Sequence, residues 1–413
     1  MFEFGRDLRK LFEKARESDD LGWLELIGAD LLEAEAKRET TDAGRVSCAR
    51  PFEAWMRASF MWREHARRTG SAASLARAAS CASDAARHTR NADQAIAAAL
   101  EAGEIHLARF DLFGGPERLN AALMDIQGLS PEKASTRAWA GALGARLTAR
   151  RADLVQTTEE ADRALALLDT ARRDHRHLST TVAEDLTLDW AGLALRRGVD
   201  QRDVALLDRV GHDLRALVET ASPEYRPVTR ARALCLAAVG LKALAGLAQD
   251  VEAEAQGQAL FDAAADQFTP DHSPLDWVAV QLAQGATQTP LMVLAQAETM
   301  TREPGLIMGA MARERRMAAE AALAEAMGDV KAIQGLETVV RRRLATPVSR
   351  PPLDWAADQM GMAHLMLSRA RLTGSRPHAV GMMLAEAATT AREWGALALA
   401  EQAERIAFRM ARA

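Results

Sequence analysis

The densest group of titratable side chains in this chain is the run RRDHRHL, which holds Asp174, His175 and His177. Imidazoles and carboxylates are zinc ligands, but a metal needs two or three of them to converge. On a helix His175 and His177 point apart. The run therefore reads as a solvated turn between helices, and neither a metal nor a cofactor is expected. His106 and His364 lie in helical text and suit packed or groove-facing positions better than catalytic ones. Cys48, Cys81 and Cys235 are far apart and form no CxxC pair, so neither a zinc site nor a disulfide framework is suggested. Cys81 and Cys235 sit in the apolar runs RAASCASDA and RALCLAAVG and read as buried, inert thiols. Glu159 and Glu160 suit a helix start, where carboxylates face the positive end of the dipole. Asp19-Asp20 lacks the further aspartate of a DDxxD motif, and no GxxxxGK[ST], GxSxG or HExxH motif occurs. No catalytic residue is assigned, and the chain is not expected to be an enzyme.

Two basic runs remain, ARERRMAAE with Arg313, Arg315 and Arg316, and VVRRRLATPVSR with Arg341–Arg343. A net charge of -5 does not suit a general nucleic-acid binder. These runs read as solvated helix faces or as recognition of an acidic peptide. Arg315 is the stronger groove candidate because it precedes the second helix of its pair. Gln281, Gln359 and His364 complete the candidate partner-binding set.

The elements that must carry these residues are helical throughout. Apolar residues make up 48% of the chain but aromatics only 5%, so Ala and Leu, both strong helix formers, dominate. No stretch alternates long enough to predict a strand. No run of about 18 uncharged apolar residues predicts a membrane span. The first twenty residues lack a leader's apolar core and cleavage site, so a cytoplasmic location is expected.

Tryptophan supplies the repeat. The pentapeptides LTLDW, SPLDW and PPLDW end at Trp190, Trp277 and Trp355, which are 87 and 78 residues apart, or about 40 when halved, the spacing of helical-hairpin repeats. Ser273 reads as an N-cap with Pro274 behind it, and Asp276 can reach back to the cap amide. Trp277 then wedges against the next pair. The spacing predicts hairpins at about 51–89, 91–127, 130–174, 178–221, 224–268, 273–302, 305–346 and 350–392, with a closing helix at about 393–411. Helices at about 4–17 and 20–39 precede them as a capping or docking segment, giving divisions at 1–40 and 41–413.

These residues resemble the tetratricopeptide repeat (TPR) family in a divergent bacterial form. Trp394, Leu397 and Ala398, and Trp190, Leu193 and Ala194, match the Trp-x-x-Leu opening. Gly328, Asp329 and Ala332 match the turn and second helix, and PLDWAADQMGMAH matches a first helix. The resemblance spans about residues 180–400. It implies an all-α fold, an α-solenoid of antiparallel helix hairpins forming a TPR-like superhelix. It also implies a non-catalytic scaffold or adaptor that holds a peptide or partner domain in its concave groove. A ligand- or peptide-sensing regulator is the alternative, and homo-oligomers are compatible with either. Trp190, Trp277, Trp355 and Trp394 are the expected structural repeat positions.

Overall fold

Helix propensity and capping chemistry place eighteen α-helices among the described residues of a computed structural model. The described residues are 21–284, 289–346, 350–375 and 377–412. The helix expected at 4–17 lies outside them. Among the described residues there is no strand. A short 3-10 turn, Leu21–Leu26, leads into α1 (Ala29–Ala43), α2 (Pro51–Thr69), α3 (Ala72–Arg87), α4 (Ala92–Phe113), α5 (Pro116–Gln127) and α6 (Ala134–Val155). Then come α7 (Thr158–His175), α8 (Thr180–Gln201), α9 (Val204–Thr220), α10 (Pro227–Ala248), α11 (Val251–Gln267) and α12 (Pro274–Ala283). The last six are α13 (Leu291–Met300), α14 (Ile307–Ala326), α15 (Val330–Leu344), α16 (Pro352–Thr373), α17 (Val380–Glu393) and α18 (Leu397–Arg412). The eight expected pairs fall on α2 to α17 in order. The single helix expected at 20–39 is instead broken at Ile27–Gly28. There the Ala29 amide donates to the Asp271 carbonyl at 3.1 Å.

One turn recurs between paired helices. A residue with positive φ closes the first helix and a hydroxyl or carboxylate then caps the second: Gly70–Ser71, Gln156–Thr157, Arg202–Asp203, Gln249–Asp250 and Gly328–Asp329. Each cap side chain accepts from an amide in the first turn of its helix, satisfying a donor that the helix leaves orphaned. Gly328–Asp329 was legible as such a turn. Three of its counterparts were hidden because they place Gln or Arg, not Gly, in the left-handed position.

Most helices pack against the next helix in the chain, and first helices of successive pairs also touch: α2 with α4, α4 with α6, α6 with α8, and α14 with α16. Neighbour stacking does not account for all the packing. α2 touches α12 and α4 touches α14. Arg68, fully buried, donates to the carbonyls of Leu24 and Ile27. Glu25 accepts from the Thr229 amide at 3.0 Å and from Arg226 at 2.9 Å, capping α10 from the far end of the chain.

Glycine makes one closure possible. The Gly115 amide donates to the Trp394 carbonyl, and a Cβ on Gly114 would lie 1.9 Å from that oxygen, at a φ of +70°. Gly114→Ala is expected to lower stability by about 2–3 kcal/mol, because backbone must move and the dihedral is unfavourable. Gly335→Ala, where an added Cβ meets nothing within 4 Å, is the control and should be neutral or slightly stabilising. Urea melts of both variants check this, and equal midpoints would refute the closure.

α10 is long and apolar enough, by length and composition, to cross a bilayer, and it alone among the described helices meets that measure. Within the fold it packs on α11 and places Val228, Ala231, Leu234 and Ala238 in a core cluster. Its Arg232 forms an ion pair with Asp276.

Candidate functional site

The Leu-Asp-Trp aspartates do one common job. Asp189 accepts from Arg146 Nε at 2.7 Å, Asp276 from Arg232 at 2.8 and 2.6 Å, and Asp354 pairs with Arg313 at 3.1 Å. Each arginine stands on the first helix of the preceding pair (α6, α10 and α14). The Leu-Asp-Trp motif is therefore a tie between repeats. Asp276 does not cap its own helix as expected. Ser273 makes no side-chain cap, and its hydroxyl donates to Asp276 instead, because the carboxylate is turned towards Arg232.

The tryptophans beside these aspartates are not equivalent. Trp190 lies in the middle of α8, is 1% exposed, and is flanked by the guanidiniums of Arg172 and Arg209 at 4.6 and 4.7 Å from the ring centroid. Trp277 and Trp355 stand in the first turns of α12 and α16 and are half-buried, packed against core clusters. Trp394 is the C-cap of α17, not the start of the closing helix, since Gly395 at φ +82° interposes a turn.

The Arg146–Asp189 tie continues into a largely buried charged seam along α2, α4, α6 and α8. Arg63 donates to both oxygens of Glu101 at 3.0 and 3.1 Å, and Ser59 donates to Glu101 as well. Arg146 bridges Glu104 at 2.9 Å and Asp189, while Arg150 bridges Asp189 and Asp111 at 2.7 Å each. Burial would push the Asp189 carboxyl up, but Arg150 and Arg146 outweigh it and hold the group at about 2. Fully hydrogen-bonded pairs of this kind offset the cost of taking charge out of water.

Beside the seam lies a cavity of about 310 Å³, framed by α2, α4, α6, α7 and α8. Met56, Phe60, Trp139, Val182 and Leu186 give it an apolar wall, and Asp185 and His175 face the same space. His175 corrects the sequence reading. It is the last residue of α7 and only 4% exposed, whereas His177 is exposed in the turn that follows. The reason is helical phase, since His175 falls four residues after Ala171 on the buried face. Asp185, one turn before Asp189, is pushed up to about 6 by burial, which Arg146 and Arg67 only partly offset.

Most arginines of the two basic runs meet carboxylates within the fold, while Arg341 and Arg342 are exposed on a solvated face. Arg313 pairs with Glu298 and Asp354, and Arg316 with Glu298 and Glu320. Arg341 lies 3.6 Å from Glu337 and Arg343 lies 3.4 Å from Asp358. Arg315 is half-buried, as are Gln281 and Gln359. His364 Nε2 meets Glu314 Oε1 at 2.7 Å, so this imidazole is engaged within the fold. The candidate partner-binding residues are not gathered at one place with the charged seam. Cys81 is buried, and burial pushes the Cys235 thiol up to about 12, which removes its thiolate at neutral pH. Among the described residues no group of three or more His, Cys, Asp or Glu side chains could hold a metal ion.

Sequence reasoning missed the seam because it weighed each arginine against its neighbours in the chain. The available signal was an arginine 41–44 residues before each Leu-Asp-Trp aspartate. No family model matches the chain, and no curated protein matches it.

Proposed function

We propose that the protein is a non-catalytic interaction scaffold, a TPR-like solenoid of antiparallel helix hairpins that holds a peptide or partner domain against its inner helices. The observation supporting this reading is the recurrence of the Arg–Asp tie between first helices of successive pairs. Ties at repeat spacing fix a row of parallel-stacked helices whose shared face is long enough for an extended segment. The step from that architecture to scaffolding is one of analogy. Arg315 and Gln359 are the residues assigned to contact the partner, because they are half-buried and no described ion pair holds Arg315. The test is affinity capture with the full chain and with an Arg315→Glu/Gln359→Ala variant of unchanged melting temperature. A specific polypeptide should be retained by the wild type and reduced about ten-fold by the variant, a loss of about 1.4 kcal/mol. Equal capture by both proteins rejects the assigned surface.

A ligand-sensing regulator is the second reading. One observation favours it, the cavity walled by Phe60 and Trp139 with Asp185 facing inward.

A further inference from the structure

We propose that the cavity beside the charged seam binds a small amphipathic amine, its cation on Asp185 and its apolar body against Phe60, Trp139 and Leu186. The inference rests on the second reading's cavity and does not depend on the scaffold reading. Three observations converge on it. First, the arginines of the lining are already engaged: Arg63 by Glu101, Arg146 by Glu104 and Asp189, and Arg57 by Glu39. An incoming anion finds no free cation. Second, Asp185 has neither a hydrogen bond nor an ion pair among the described residues, although it lies deep enough for burial to resist its charge. A carboxylate in that position gains most from a cation brought in with its own hydrogen-bond donors. Third, His175 is nine-tenths buried at the same cavity, and neither of its ring nitrogens has a partner among the described residues. Native interiors rarely leave such a group unmet, so a ligand N–H or hydroxyl is the missing partner.

The remaining wall sets the ligand's body. Phe60, Trp139 and Leu186 present apolar surface, and aromatic faces attract an organic cation. The volume lies at the small end of the range for ligand sites, which fits a single-ring amine and excludes a folded partner.

Isothermal titration of the full chain tests this with phenethylamine and tyramine as probes. 2-Phenylethanol and phenylacetate are the neutral and anionic counterparts. At least one amine should bind with one-to-one stoichiometry, and at least ten-fold more tightly than either counterpart. Asp185→Asn should cost about ten-fold or more in affinity while the protein melts no lower than wild type. Glu401→Gln, which lies outside the cavity lining, should bind like wild type. The proposal is overturned if the alcohol or the acid binds as well as the amines. It is equally overturned if Asp185→Asn binds unchanged, or if neither amine binds at about 1 mM. Binding of a lysine-containing peptide without either free amine would assign the cavity to a partner's side chain, and would also overturn it. None of these outcomes alters the Arg315 experiment, so the two readings fail separately.

Discussion

Trp190→Ala is expected to lower stability by about 3–5 kcal/mol, as removal of a large, fully buried side chain should. The ring is 1% exposed and belongs to the cluster formed by α6 to α10, with Leu186, Leu207, Val210 and Leu214. Removing an indole there empties a volume that rigid helices on all sides cannot fill by collapse. It also strips the aromatic face from Arg172 and Arg209, each worth about 0.5–1 kcal/mol at a partly exposed site. Those two guanidiniums share Asp169, at 2.7 and 2.8 Å, so both have a second anchor and remain in place. Trp190→Phe should therefore recover part of the loss. Trp277→Ala should cost less than Trp190→Ala, because the Trp277 ring is half-buried and already meets solvent. Chemical denaturation read through hydrogen exchange is the suitable measurement, since a long all-helical chain need not unfold in one step. Amides of α8 and α9 should lose protection first. A Trp190→Ala protein within about 1 kcal/mol of wild type would remove the ring from its packing role.

How the sequence encodes this is uneven, and the tryptophans show why. Helix content, pair boundaries and the two-residue turn at Gly328–Asp329 follow from local rules: Ala and Leu periodicity, proline in the first turn, a capping side chain. Those rules act within a few residues and leave a trace in the text. Which tryptophan is most buried does not, because LTLDW and SPLDW look alike. Pro274 starts α12 and leaves Trp277 near an end, while Trp190 has ten residues of α8 ahead of it and sits mid-helix. The closures between α2 and α12, and between Gly114 and Trp394, are long-range contacts with no local signature.

The candidate site divides the same way. Asp276 was read as reaching back to its own helix cap, and in the structure it turns to Arg232 instead. That partner was not legible, since periodicity shows that a repeat exists without showing which polar residues face each other across it. His175 was read with His177 as part of a solvated turn because the two point apart on a helix. The structure exposes Arg173, Asp174 and Arg176 and turns His175 inward. Composition averages over a helix; burial is decided by phase.

Asp189→Asn is expected to cost about 3 kcal/mol, from an argument that joins electrostatics to pH. Folding brings this carboxyl from an ordinary aspartate value down to about 2. A depression of roughly two units corresponds to about 2.5 kcal/mol of preference for the charged form. Removing the charge also leaves Arg146 and Arg150 short of a partner within the fold. Breaking a buried pair costs about 3–5 kcal/mol, and the lower end applies here because Arg146 keeps Glu104 and Arg150 keeps Asp111. The sign of the pH dependence follows from the depressed value. The carboxylate stabilises the fold fully above the unfolded-state range near pH 4. That contribution is lost as pH falls through the folded value of about 2. The stability gap between wild type and Asp189→Asn should thus be constant from about pH 5 to pH 8 and narrow steadily below about pH 4. Asp185→Asn should behave in the opposite sense. The Asp185 carboxyl is raised to about 6, so its ionisation above that pH opposes folding, and the asparagine should stabilise the ligand-free protein at neutral pH. Two aspartates one helical turn apart then give opposite changes in midpoint at pH 7. A shift of the same sign in both variants would mean that the seam and the cavity are not electrostatically distinct.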